Sequence, residues 1–108
     1  TLVHQFCHIG SHVMVQGGSL VNKDIPPYVT AARLPISYAG INSVGLRRRG
    51  FTIDIIREIQ DVYRYLFQMD LNNTDALERI ESELPATKER DEIITFVRNS
   101  KRGIIKEN

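Results

Sequence analysis

The chain has 108 residues, 42% hydrophobic and 25% charged, the proportions of a globular protein rather than a disordered one. Its formal charge of +1 argues against a general nucleic-acid binder, and its apolar stretches are far too short to span a bilayer as a helix. The single cysteine, Cys7, excludes an intramolecular disulfide and a cysteine-built zinc site, and suits a reducing compartment.

The chain opens at Thr1, inside an apolar pattern and without a methionine or signal-like start, as the tail of a longer protein would. Val3, Ile9, Val15 and Val21 then recur every six residues, and Cys7, Val13, Ser19 and Ile25 repeat four places behind them. A helix does not favour a period of six, and a plain strand needs only two. The hexads predict a coil of short parallel strands joined by turns, with the opening aliphatics stacked inside. Gly10, Gly17 and Gly18 fall at turn positions where a side chain would crowd the backbone. Pro26-Pro27 supplies no ladder donors and is expected to end the coil.

Texture changes near Gly50. Residues 1–50 carry a net +4 and six of the seven glycines; residues 51–108 carry a net −3 and are rich in Glu, Asp, Arg, Ile and Leu. Thr52 can cap a helix from about Ile53 to Gln68, with Ile55, Ile56, Ile59, Val62, Tyr63, Leu66 and Phe67 on one face. Thr74 can cap a second from Asp75 to Leu84, ended by Pro85 and burying Leu77, Ile80 and Leu84. Thr87 can cap a third from Lys88 to Ser100 carrying Ile93, Ile94, Phe96 and Val97, with Gly103 as its stop. The expected division is 1–35 repeat coil, 36–50 connector and 51–108 helical unit.

Four runs occur in order: His4-Gln5-Phe6-Cys7, Gly17-Gly18-Ser19-Leu20-Val21, Asp24-Ile25-Pro26-Pro27-Tyr28-Val29, and Gly45-Leu46-Arg47-Arg48-Arg49-Gly50-Phe51. Together they resemble the C-terminal part of the UDP-N-acetylglucosamine acyltransferases, cytoplasmic enzymes that begin lipid A synthesis. The hexads alone mark only a hexapeptide-repeat protein; the run from Ile41 to Phe51 narrows the choice and argues against the related N-acyltransferase of the same pathway. The resemblance implies a β + α fold: the last turns of a left-handed parallel β-helix followed by a C-terminal three-helix domain, assembled as a homotrimer. It implies transfer of a 3-hydroxyacyl chain from acyl carrier protein to the sugar 3-hydroxyl of UDP-N-acetylglucosamine. No resident cofactor is implied, because the acyl group arrives on the carrier's phosphopantetheine. Neither a metal, a nucleic acid nor an integral membrane segment is expected. The family's general-base histidine lies upstream of these residues, so the chain alone is expected to be inactive. The alternative is a non-catalytic oligomerisation or binding module of hexapeptide-repeat type.

By resemblance His4 contacts the nucleotide-sugar, and Gln5 belongs to the same cleft. The competing reading of His4 is an exposed turn histidine. Asn42 matches a position near the uridine; an amide both donates and accepts, which suits a uracil edge, although asparagine also simply forms turns. Arg48 and Arg49 match positions at the diphosphate or ribose, and guanidinium forks suit two phosphate oxygens. Three consecutive arginines cannot all face one ligand, which leaves Arg47 outside the pair; a solvated basic turn is the competing reading. By the same resemblance Met14 and Gly17 are expected to border the groove for the acyl chain, where a glycine keeps the groove open. His4, His8 and His12 are spaced by four, but the hexad frame points them apart, against a metal site. His8 and His12 are expected at the surface, and Cys7 as a small inward-facing hydrophobe.

Overall fold

The computed structural model describes residues 2–3, 7–17, 20–21, 23–32, 37–100 and 103–105. Five short strands come first: β1 (Leu2–Val3), β2 (Met14–Val15), β3 (Leu20–Val21), β4 (Val29–Ala32) and β5 (Ser37–Ile41). β1 pairs in parallel with β3, Leu2 opposite Leu20. Ile9 forms a parallel bridge to Ile25, and β2 pairs in parallel with β4, Val15 opposite Ala31. Three parallel pairings therefore set a segment beside one that lies 16 to 18 residues earlier. The first offset, Leu2 to Leu20, is 18 residues or three hexads; the next two, Ile9 to Ile25 and Val15 to Ala31, are 16.

Those offsets correct two expectations. The second and third offsets are two residues shorter than three hexads, so Ile9 meets Ile25 rather than a member of its own column. Val21 and Ile25 are fully buried, and Cys7, Val13 and Val15 pack against the core, but Ile9 is 42% exposed. Nor do the prolines end the parallel pairing. They fall at a turn, where a missing N–H costs no ladder bond, and β4 resumes the pairing after them.

The expected connector is also ordered. β5 runs antiparallel to β4, with Val29 opposite Ile41, Ala32 opposite Ser37 and a bulge between. It leads into a short helix α1 (Ser43–Arg48), which Gly50 closes at φ 91, where a side chain would be strained. Three longer helices follow: α2 (Ile53–Phe67), α3 (Asn73–Glu83) and α4 (Lys88–Asn99). Thr52 and Thr87 cap α2 and α4 as expected, accepting from the Ile55 and Arg90 amides at 3.2 and 3.0 Å. The α3 cap is Asn72 rather than Thr74, accepting from the Asp75 amide at 2.8 Å. α4 ends at Asn99, with Ser100 as its C-cap, three residues before Gly103.

The helices and the strands share one core. Ile56, Ile59, Val62, Tyr63 and Leu66 of α2 face Leu77 and Ile80 of α3 and Ile93, Ile94 and Val97 of α4. Val21, Ile25, Val29, Ala31 and Leu46 continue the same cluster. Polar latches reinforce the join. The fully buried Tyr63 hydroxyl donates to the Pro27 carbonyl at 2.5 Å, and burial raises its pKa well above that of an ordinary tyrosine. Tyr28 donates to Glu92 of α4 at 2.6 Å, and Ser11 donates to the same carboxylate. Burial first, and Glu92 second, push the Tyr28 pKa above its ordinary value. Asp24, 1% exposed, accepts from the His8 amide at 2.8 Å and from the Ser100 hydroxyl at 2.5 Å. Its backbone bonds to Gly103 and Ile105, both at 3.0 Å.

Candidate functional site

Asn42, Gly45, Arg48 and Arg49 stand at i, i+3, i+6 and i+7, the spacing of one helical stripe, whereas Arg47 falls on another side. Leu46, fully buried, fixes α1 to the core beside that stripe and leaves Arg48 and Arg49 exposed. The stripe faces the turn before β2, and between them lies a cavity of about 570 Å³ lined by His12, Val13, Met14, Asn42, Val44, Gly45, Arg48 and Arg49. Its volume is in the usual range of small-molecule sites.

The two chemistries in this cavity are separated. Arg48 and Arg49 are exposed, and among the described residues neither has an ion-pair partner. Two uncompensated guanidiniums on one stripe suit a polyanion. Met14, 57% exposed, and Val44, 65% exposed, supply an apolar lip that would favour an alkyl or sugar face over bulk water. A larger cavity, about 740 Å³, lies between the 8–11 turn and α4. Among the described residues, Asp24, Asp91 and Glu92 line it against the one cation Lys88, a net negative wall that disfavours a polyanion, whereas the smaller cavity carries two arginines and no carboxylate and is the candidate site.

Asn42 is held at three points. Its amide donates to the Tyr28 carbonyl at 2.9 Å, its Nδ2 donates to the His12 carbonyl at 3.2 Å, and its Oδ1 accepts from the Gly45 amide at 3.3 Å. One side-chain N–H and one carbonyl lone pair are left for a ligand. His12 is not the surface residue expected. Its ring stacks on Tyr28 at 5.6 Å and meets Phe51 edge-on at 5.0 Å, with Nδ1 buried and unpartnered. His8 is exposed as expected, and it does not line this cavity.

The structure thus gathers Met14, Asn42, Arg48 and Arg49 around one cavity. Gly17 is exposed but not among its lining residues, and a Cβ there would meet nothing within 4 Å. His4 and Gln5 lie outside the described residues. Sequence reasoning passed over His12, Val44 and Gly45. The spacing of Gly45 between Asn42 and Arg48 could have placed it; His12 gave no local signal, because Tyr28 and Phe51 are distant in sequence.

Residues 24–105 match the family model described as UDP N-acetylglucosamine O-acyltransferase, domain 2. The acyl-[acyl-carrier-protein]–UDP-N-acetylglucosamine O-acyltransferase of Myxococcus xanthus is 40% identical over 102 residues, which cover 94% of this chain and 40% of that protein. The enzyme of the same name from Halorhodospira halophila is 40% identical over 105 residues, 97% of this chain and 41% of its own length. Among solved structures, a UDP-N-acetylglucosamine acyltransferase from Bacteroides fragilis superposes with a TM-score of 0.94 at 55% identity, covering 96% of this chain and 41% of that one. The one from Francisella novicida superposes at 0.90 with 34% identity, covering 97% of this chain and 39% of its own. The chain spans about 40% of the length of the curated relatives it matches.

Proposed function

The chain belongs to the UDP-N-acetylglucosamine O-acyltransferase family, and we propose that it is the C-terminal part of an enzyme transferring a 3-hydroxyacyl chain from acyl carrier protein to the 3-hydroxyl of UDP-N-acetylglucosamine. The product enters lipid A synthesis, and the enzyme works in the cytoplasm. One observation carries the reading: a single cavity gathers the paired guanidiniums of Arg48 and Arg49, the amide of Asn42 and the apolar side chain of Met14. A nucleotide-sugar presents a diphosphate, a base edge and a sugar whose acylated form adds an alkyl chain. Arg48 and Arg49 bind the diphosphate or ribose, Asn42 the uracil edge, and Met14 borders the acyl groove with Gly17. His4 and Gln5 complete the nucleotide-sugar contacts.

The parallel offsets of 18 and 16 residues support a left-handed β-helix whose last circuit lies here. Exposed Ile9 and Met14 on that circuit favour burial against further coils and neighbouring subunits of a homotrimer. The chain itself holds the nucleotide-sugar and does not take the hydroxyl proton. His12 lines the cavity, but its ring is packed between Tyr28 and Phe51 with Nδ1 buried, whereas a general base needs a free ring nitrogen within reach of the hydroxyl.

Arg48→Ala in the full-length enzyme tests the assignment. Losing a charged hydrogen bond costs about 1.5–3 kcal/mol, which is roughly 10- to 150-fold in nucleotide-sugar affinity. An unchanged Michaelis constant and turnover would remove Arg48 from the site.

A further inference from the structure

We propose that Gly45 is a positioning residue: its missing side chain is the space into which Asn42 folds, and together with the His12 carbonyl it sets which atoms of Asn42 face the ligand. The inference rests on the nucleotide-sugar reading of the cavity, but its geometry stands without a ligand. A Cβ built at Gly45 would lie 2.5 Å from Asn42 Nδ2, 2.9 Å from Oδ1 and 3.0 Å from Cγ. Carbon cannot sit that close, and the atoms in the way belong to one carboxamide. That carboxamide can rotate away, but only by giving up the bond to the Gly45 amide at 3.3 Å and the bond to the His12 carbonyl at 3.2 Å.

The His12 side of the clamp is itself fixed. His12 holds a left-handed backbone conformation, φ 56, uncommon for a residue with a side chain. Its ring is wedged between Tyr28 and Phe51, which holds the turn and aims its carbonyl at Asn42. Phe51 lies three residues past the end of α1, and its amide donates to the Leu46 carbonyl at 3.0 Å. The turn before β2 and the helix bearing Arg48 and Arg49 are therefore joined through one asparagine side chain. With the clamp closed, Asn42 offers the ligand one N–H and one lone pair in a single orientation. With a methyl at position 45 it offers neither in that place.

The sign of the stability change separates this role from an ordinary helical glycine. Inside a helix, Gly→Ala is normally stabilising, because alanine loses less backbone entropy. Here Gly45→Ala must also break the clamp, so its melting temperature should not rise. In an Asn42→Ala background the obstruction is gone, and the same substitution should then raise the melting temperature by about 4 °C.

The experiment uses the whole chain, ¹⁵N-labelled, as wild type, Gly45→Ala, Asn42→Ala and the double variant. Three readings are taken: the Asn42 side-chain NH₂ resonances, thermal unfolding, and titration with UDP-N-acetylglucosamine. Gly45→Ala should move the Asn42 NH₂ resonances and weaken the nucleotide-sugar about 3- to 10-fold, with no further loss in the double variant. Unmoved Asn42 resonances, or a rise in melting temperature equal in both backgrounds, would overturn the positioning role. If wild type shows no titration at millimolar nucleotide-sugar, the assigned ligand fails, while the resonances and the melting temperatures still decide the clamp.

Discussion

Removing the Asp24 carboxylate should cost more stability than any other single polar truncation at the join between strands and helices. The group is buried and accepts from two elements distant in sequence, the His8 amide at 2.8 Å and the Ser100 hydroxyl at 2.5 Å. A hydrogen bond to a charged group contributes about 1.5–3 kcal/mol, and orphaning a buried donor incurs its desolvation as well. Asp24→Ala loses both bonds and strands the His8 N–H and the Ser100 hydroxyl, for a total of about 3–5 kcal/mol. Asp24→Asn keeps the shape: its Oδ1 still accepts from His8, and its Nδ2 can donate to the serine oxygen with the direction reversed. That change should cost only about 1 kcal/mol. Ser100→Ala removes one bond and should fall between them. Urea unfolding followed by circular dichroism measures all three, as shifts of the midpoint at constant slope. With a slope of about 2 kcal/mol per molar, Asp24→Ala should move the midpoint by about 1.5–2.5 M. A loss below about 1 kcal/mol for Asp24→Ala, or equal losses for the asparagine and the alanine, would refute the reasoning.

Gly10→Ala should destabilise by about 1–3 kcal/mol, because its Cβ would lie 2.5 Å from the Pro27 nitrogen and 2.8 Å from its Cα, backbone that cannot rotate aside; denaturant melts check it. Stability should fall as pH rises above about 10: Tyr63 and Tyr28 have raised folded pKa values, so their contribution is complete below the unfolded tyrosine value and lost as pH climbs towards the folded ones. Thermal melts between about pH 8 and pH 11 should show that slope, and Tyr63→Phe should flatten it. The 108 residues alone should lack acyl-transfer activity when assayed with 3-hydroxyacyl carrier protein beside the full-length enzyme at equal molarity; turnover within about a factor of ten of the longer protein would reveal a base in this chain.

Local signals carried most of the helical half. Thr52 and Thr87 cap where a side-chain oxygen precedes an apolar stripe, and five of the seven α2 stripe residues are buried, with Ile55 and Phe67 half-buried at its edges and Tyr65 buried outside it. Asn72 displaced Thr74 because two good caps lay two residues apart and only one fitted the turn after Leu71. The parallel contacts were legible in the hexads, but the two-residue shortening was not: the period is averaged over the chain, while the register is set where Ile25 meets Ile9. β5 and α1 escaped notice because neither has a full period of its own. Ser37–Ile41 is a strand through its pairing with β4, and α1 owes its place to buried Leu46. At the site, Asn42, Arg48 and Arg49 are brought together by the resemblance, and the helix that sets them along one stripe emerges only in the folded chain. His12 could not be placed there, since its environment is made by Tyr28 and Phe51, residues that approach it only in the folded chain.

The way the parallel segments finish bears on self-association. A row of stacked short strands presents unpaired N–H and C=O groups at its last member, a template for another chain. Here the outer edge of β4 is taken by β5 running the opposite way, and the outer side of Asp24 is taken by Gly103 to Ile105. These two rungs are therefore paired by backbone from the same molecule, and among the described residues the strand edges left at this end are the short β3 and the outer side of β5. A C-terminal truncation after Ser100 would reopen the Asp24 rung, and the shortened protein would be the one to watch for fibres.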